Sequence, residues 1–382
     1  MIGHLPPTFT ILIPTYNQAH YLPACLESLL AQTCSNWEAV IVNDGSTDNT
    51  REVLDRYAHR DSRFQVFHKE NGGVATALNL ALENAKGKWI CWLSSDDLFE
   101  PDKLEKHVRW IANCPGIYWF HTNYSVLFEE TGQLSGIDYP ADYFPTDELQ
   151  VLKFFEINYI NGISVAVHRS VFDRTGGFNT ALRNGQDFDM WLRISALFRS
   201  RYIDQRTCVT RIHPGQGSSI SADAGIFDSG RAALNFLNTH SFEDLFPMLD
   251  LGCSGHGLYA IQNVLRILIN PSAYINSCGY GSALLARMRE WLGKPAGQNQ
   301  LGLLTGPQFK DIFVSILESG LPDNLKEAFQ EFYAGLGRPY LYQPFEEAML
   351  LMQHLVFWEN TPGRSADATT LRCYLNRNNL IV

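Results

Sequence analysis

The sequence predicts an α/β protein: a parallel sheet with helices on both faces, followed by a mostly helical C-terminal domain. Three observations carry this. Short apolar runs alternate with helical windows through about residue 114. Each of the first runs ends in small polar or acidic residues. From about Phe227 the strand signals fade and Gly/Pro-punctuated amphipathic windows take over. A chain of 382 residues is long for one core. Domains are therefore expected over residues 1–226 and 227–382.

The elements follow in order. Phe9–Ile13 is a short strand ending in Pro14-Thr15-Tyr16-Asn17, and Tyr21–Ala31 places Leu22, Leu26, Leu29 and Leu30 at helical spacing. Ala39–Val42 is the next strand, ending at Asn43-Asp44-Gly45-Ser46, with a helix through Tyr57. Gln65–Phe67 leads into Asn71-Gly72-Gly73 and a helix through Ala85. Trp89–Leu93 is a buried strand that runs into Ser94-Ser95-Asp96-Asp97, and a helix is expected from about Pro101 to Cys114. Beyond it the pattern is mixed: strands at Ile117–Phe128, Ile163–His168, Arg201–Asp204 and Cys208–Ile212, and a helix over Gln186–Leu197.

Composition narrows the function. Charged residues make up 18% and hydrophobic ones 45%, which suits a globular chain rather than a disordered one. The formal net charge of −10 and the lack of a basic block argue against nucleic acid as a partner. The eight cysteines form no CxxC pair and no zinc-ligand spacing, so reduced, mostly buried thiols are expected. No leader or membrane-spanning run is evident. The expectation is a cytoplasmic protein, with a peripheral place at the inner face of the membrane left open.

The strand-end loops carry the chemistry. Open α/β sheets bind ligands outside the carboxyl ends of their strands. Tyr16 offers a flat face to a base, and Asp44 can accept a hydrogen bond from a base N–H or a sugar hydroxyl. Gly72-Gly73 allow close approach, and the helix behind them offers N–H groups to an anion. Asp96 and Asp97 supply hard oxygen ligands for Mg2+ or Mn2+ carrying a diphosphate. Each loop also reads as an ordinary turn, and the Asp96-Asp97 pair reads equally as the start of the helix near Pro101.

As an ordered set these motifs resemble the family-2 glycosyltransferases of GT-A fold. The set is Pro14-Thr15-Tyr16-Asn17, Val42-Asn43-Asp44-Gly45-Ser46-Thr47-Asp48, Asn71-Gly72-Gly73, Ser94-Ser95-Asp96-Asp97 and Gly185-Gln186-Asp187-Phe188-Asp189-Met190-Trp191-Leu192-Arg193. The resemblance spans about residues 8–220 and implies a GT-A-type nucleotide-binding mixed sheet flanked by helices. It implies nucleotide binding by Pro14, Tyr16, Asn17, Asp44, Asn71, Gly73, Ser95 and Asp96. It implies a metal held by Asp96, Asp97 and His213, and Asp187 as catalytic base. Ser94 stands where the family's acidic triplet begins with Asp, and Gln186 where it most often has Glu.

The implied reaction is inverting transfer of a sugar from a nucleotide-diphosphate donor, most often UDP-linked, to a saccharide or lipid-linked acceptor. Homo-oligomerisation is left open. A sugar-phosphate nucleotidyltransferase would want a glycine-rich basic loop where Pro14–Asn17 stands. A degenerate carbohydrate-binding or scaffold protein is the non-enzymatic alternative. Asp189 and Arg193, at i, i+4 spacing, read as an ion pair. Gly252–Gly257 reads as a loop, and the apolar stretch Phe345–Trp358 reads as core packing.

Overall fold

The structure, a computed structural model, describes residues 6–137, 139, 143–216, 222–270, 273–301, 325 and 328. It divides the chain into two compact units. One comprises residues 1–150 and 158–232, the other 151–157 and 233–382.

The first unit is built on β1 (Phe9–Thr15), with β2 (Trp37–Asp44) and β4 (Trp89–Trp92) parallel on either side and β3 (Phe64–Lys69) outside β2. Every residue of β1, β2 and β4 is buried, as expected of strands covered on both faces. Helix α1 (Leu22–Leu30) buries Leu22, Cys25, Leu26 and Leu29, a spacing that puts all four on one face. Helix α2 (Thr50–Arg60) turns Val53 and Leu54 inward, and α3 (Val74–Asn84) turns in Ala75, Ala77, Leu78 and Ala81. The small side chains on α3 let it pack closely on the sheet.

A short strand, β5 (Leu98–Phe99), follows the acidic loop before helix α4 (Lys103–Asn113) begins. The sheet then continues through β6 (Trp119–Phe128), the hairpin strand β7 (Gln133–Gly136), β8 (Ala166–His168) and β9 (Ser200–Ile212). Its order is β3-β2-β1-β4-β8-β6-β9-β5, with β7 paired to β6. β8 runs antiparallel to both neighbours, so the sheet is mixed. Two expectations need correction. The segments Arg201–Asp204 and Cys208–Ile212 are one strand, because the ladder with β6 continues past Asp204-Gln205-Arg206 through a register shift near Asn123. The helix near Pro101 starts only at Lys103, with Asp102 at its N-cap position, so Asp96-Asp97 do not open it.

Helix α5 (Gln150–Glu156), the single turn α6 (Phe172–Thr175), α7 (Gln186–Ser195) and α8 (Ala222–Thr239) follow. The residue 226/227 division expected from composition falls inside α8. The described part of the second unit contains α9 (Ser254–Ile269), α10 (Tyr274–Ser277), α11 (Gly281–Leu292) and α12 (Pro295–Leu301). Its core includes Phe242, Phe246 and Trp291, with the Phe242 and Trp291 rings stacked 5.0 Å apart. Ser254–Gly257, expected as loop, forms the first turn of α9. A Cβ at Gly257 would meet the Gln300 side chain at 2.6 Å, so glycine permits that approach. The Phe345–Trp358 stretch lies outside the described residues. Among the described residues no helix is long and apolar enough to cross a membrane.

Candidate active site

The loops after β1 and β2 are stitched together. The register pairs Thr15 with Asn43, so Tyr16 and Asp44 leave the sheet side by side. Asn17 adopts φ 53°, a left-handed conformation that asparagine tolerates better than most residues. Its N–H donates to Ser46 Oγ at 2.9 Å, and its side-chain oxygen accepts from Thr47 N at 2.8 Å. Asp48 accepts from Ala19 N at 3.1 Å. Asn17 thus shapes the loop, Pro14 is buried within β1, and Tyr16 stands out with 47% of its surface exposed.

Asp44 is buried and already partnered. Its Oδ1 accepts from Lys69 Nζ and from Gly72 N at 3.0 Å, and its Oδ2 accepts from Gly73 N at 2.8 Å. The backbone donors of the Gly72-Gly73 turn therefore meet an anion of the protein itself. One lone-pair direction remains on Oδ2. Asn71 is exposed on the same turn, and Gly73 sits at φ 89°, where glycine is favoured. Lys69 is absent from the sequence-derived set. The signal for it was the parallel register, which sets Lys69 opposite Asp44.

The acidic loop is held by β9. Pairing of Leu98 with Val209 and Phe99 with Cys208 brings the end of β9 alongside it. Arg211 N donates to Asp97 Oδ1 at 2.8 Å, and Arg211 Nε donates to the Asp96 carbonyl at 2.9 Å. His213 Nε2 lies 3.1 Å from Asp96 Oδ2. The Tyr21 ring packs on His213 at 4.2 Å, and the Arg211 guanidinium lies 5.2 Å from the same ring. Ser95, Asp96 and Asp97 are all buried. Burial pushes the Asp97 carboxyl well above the usual carboxylate range, and the Asp96 charge adds to this; Arg211 and the Ser94 hydroxyl pull the other way.

A divalent cation fits part of the expected ligand set. Asp96 and His213 converge, and His213 Nδ1 is buried with no hydrogen-bond partner among the described residues. The carboxylate suits Mn2+ or Mg2+, whose remaining positions are commonly filled by phosphate and water, and the imidazole nitrogen is better tolerated by Mn2+ than by Mg2+. Beside the pair, Asp97 Oδ1 is engaged by the Arg211 backbone. Among the described residues no three His, Cys, Asp or Glu side chains form a metal cage.

Asp187 is the second residue of α7, after Gly185 at φ 66°. It is half-buried, and burial raises its carboxyl above the ordinary value. The backbone N–H groups of Phe188 and Asp187 and the Asn158 side chain pull it back down. Asn158 is a further residue the sequence did not single out, since a lone loop asparagine carries no motif. Its segment continues to Asn161, whose amide donates to Thr210 Oγ1 at 2.8 Å. A Cβ on Gly162 would lie 2.9 Å from the Trp92 ring. The support of Asp187 is thus anchored to the ends of β4 and β9, the strands that carry Asp96 and His213. Gln186 is buried, and its Oε1 lacks a partner among the described residues. The Asp189–Arg193 ion pair forms at 2.6 Å, and Arg193 also donates to the Gly177 carbonyl at 3.0 Å.

A mixed sheet with polar loops at its parallel strand ends, closed by a late histidine against an acidic loop, defines a GT-A-type glycosyltransferase fold. Residues 10–176 match the profile of glycosyl transferase family 2. An uncharacterized glycosyltransferase of Rickettsia felis is 34% identical over 215 residues, covering 56% of this chain and 35% of the relative. The chondroitin synthase of Pasteurella multocida is 32% identical over 223 residues, 57% of this chain and 22% of the synthase. The chain therefore spans about a third or less of these two relatives. The crystal structure of S. aureus TarS superimposes with a TM-score of 0.53 at 16% identity, over 89% of this chain and 55% of that one. TarS 1-349 in complex with UDP-GlcNAc gives 0.52 at 16% identity, over 89% and 91%.

Proposed function

We propose that the chain is a metal-dependent, inverting glycosyltransferase. It would move a sugar from a UDP-linked donor to a saccharide or lipid-linked acceptor in polysaccharide or glycoconjugate synthesis. The observation that carries this reading is the 3.1 Å contact between Asp96 and His213. Two buried potential ligands from distant parts of the chain meet at the end of the sheet beside the exposed Tyr16 loop. Two findings support the choice of donor and setting: the same fold in TarS 1-349 was crystallised with UDP-GlcNAc, and the related Pasteurella multocida proteins are named chondroitin synthase and hyaluronan synthase.

In this reading Tyr16 stacks on the base, and the remaining lone pair of Asp44 accepts from it. Asp96 and His213 would hold Mg2+ or Mn2+, which when bound neutralises charge on the leaving diphosphate. Asp187 takes the proton of the acceptor hydroxyl as its oxygen attacks the anomeric carbon. The new C–O bond forms as the bond to the diphosphate breaks, and the electron pair leaves with the phosphate. One in-line displacement inverts the anomeric centre. A buried carboxylate is a stronger base than an exposed one, which suits Asp187 to this task. The reading places the transferase within residues 1–226 and leaves residues 227–382 as a helical companion domain.

The test is a screen for UDP release from UDP-glucose, UDP-galactose and UDP-N-acetylglucosamine with Mg2+ or Mn2+. Metal-dependent release, lost in Asp187→Asn, is expected. Nucleotide binding without turnover under every condition would favour a binding protein, and absence of both would favour a scaffold.

A further inference from the structure

Helix α8 reaches back to the loop that opens α7. Asp228, only 7% exposed, accepts from Asn184 N at 3.0 Å and from Asn184 Nδ2 at 3.3 Å through its Oδ2. Its Oδ1 accepts from Arg231 at 3.2 Å, one turn further along α8. Next to Asn184, Gly185 sits so close to α8 that a Cβ there would lie 2.4 Å from Ser229 Oγ and 3.0 Å from Ser229 N. Two independent contacts thus seat the residues just before α7 on the second turn of α8. Asp187 is two residues beyond Gly185 and lies in the first turn of α7, so seating that turn also seats Asp187.

A buried carboxylate is costly unless its hydrogen bonds are met, and Asp228 meets them mainly with Asn184. Neither Asp228 nor Ser229 lies within residues 10–176, the segment that matches the family. We propose that Asp228 is a positioning residue: through Asn184 it fixes the start of α7 and so places the Asp187 carboxylate against the acceptor hydroxyl. This rests on the reading of Asp187 as base. Displacing a reacting group by about 1 Å can cost on the order of 100-fold in rate.

The experiment compares Asp228→Ala, Asp228→Asn and Arg231→Ala by amide hydrogen exchange and by UDP release. Release is read from the fastest of UDP-glucose, UDP-galactose and UDP-N-acetylglucosamine. Asp228→Ala is expected to raise exchange across residues 183–190 while β1, β2 and β4 stay protected. It should lower kcat by about 10- to 100-fold with donor KM within about twofold. Asp228→Asn retains one acceptor oxygen and should lose less, which keeps the test valid if the alanine variant fails to fold. Arg231→Ala leaves the Asn184 contacts intact and should change neither readout.

A double-mutant cycle separates this proposal from the one it rests on. If Asp228 acts through Asp187, Asp228→Ala adds no loss in an Asp187→Asn background. An equal loss in both backgrounds, or unchanged exchange across 183–190, would overturn the positioning role. Wild-type turnover in Asp187→Asn alone would instead remove Asp187 as the base, and the exchange data would still decide whether Asp228 holds the loop.

Discussion

Asn158→Ala should move the acid limb of the kcat profile to higher pH. Asp187 must be ionised to take a proton, so turnover falls as pH drops through its pKa in the folded enzyme. Burial holds that pKa above the ordinary carboxylate value, and the Asn158 amide is one of three donors that restrain the rise. A hydrogen bond to a charged group contributes about 1.5–3 kcal/mol, and about 1.4 kcal/mol corresponds to one pK unit. The amide favours only the ionised form, and the half-buried site admits some replacement by water, so the lower end of that range applies. The expected displacement is about one unit upward, with kcat on the plateau reduced only a few-fold. Initial rates of UDP release over pH 4–8 would show it, with circular dichroism confirming the fold at each pH. An acid limb that stays in place, or moves downward, would refute the view that Asn158 steadies the ionised Asp187.

Other substitutions probe the remaining parts of the site. Asp187→Asn should lower turnover by about 100-fold or more and leave UDP affinity nearly unchanged. Because it removes a carboxylate whose ionised form burial disfavours, its melting temperature should be equal to or above that of the wild type. Asp44→Asn leaves one oxygen for the three donors from Lys69, Gly72 and Gly73. A loss of about 2–3 kcal/mol in denaturant-measured stability and weaker UDP binding are expected. Tyr16→Ala, at an exposed position, should raise the Kd for UDP by roughly 10-fold, in line with about 1–3 kcal/mol per stacked base, with no change in melting temperature.

Much of the first unit was legible because its strands and helices announce themselves locally. Ile11–Ile13 and Ala39–Val42 are continuous apolar runs, and α1 shows its buried face in its leucine spacing. The strand-end placement of Tyr16, Asp44 and Asp96 followed from the same pattern. Less legible were features set by long-range pairing. β5 has only two residues, too few for any periodicity, yet its pairing with β9 excludes the helix-start reading of Asp96-Asp97. The charged middle of β9 resembles a turn, and only its ladder with β6 keeps it extended. Among side chains, Asn158 and Asp228 escaped notice because their partners lie on other segments. The hold on Asp97 depends on a backbone N–H from Arg211, more than a hundred residues away. Such contacts leave no mark in local sequence.

Calorimetric titration of UDP with and without Mn2+, in the wild type and in His213→Ala, tests the central claim most directly. The account predicts that Mn2+ tightens UDP binding by at least 10-fold in the wild type, and that His213→Ala loses most of this gain while its metal-free affinity stays within about twofold. Equal affinity with and without metal in the wild type would contradict it, as would a His213→Ala variant that keeps the full metal effect.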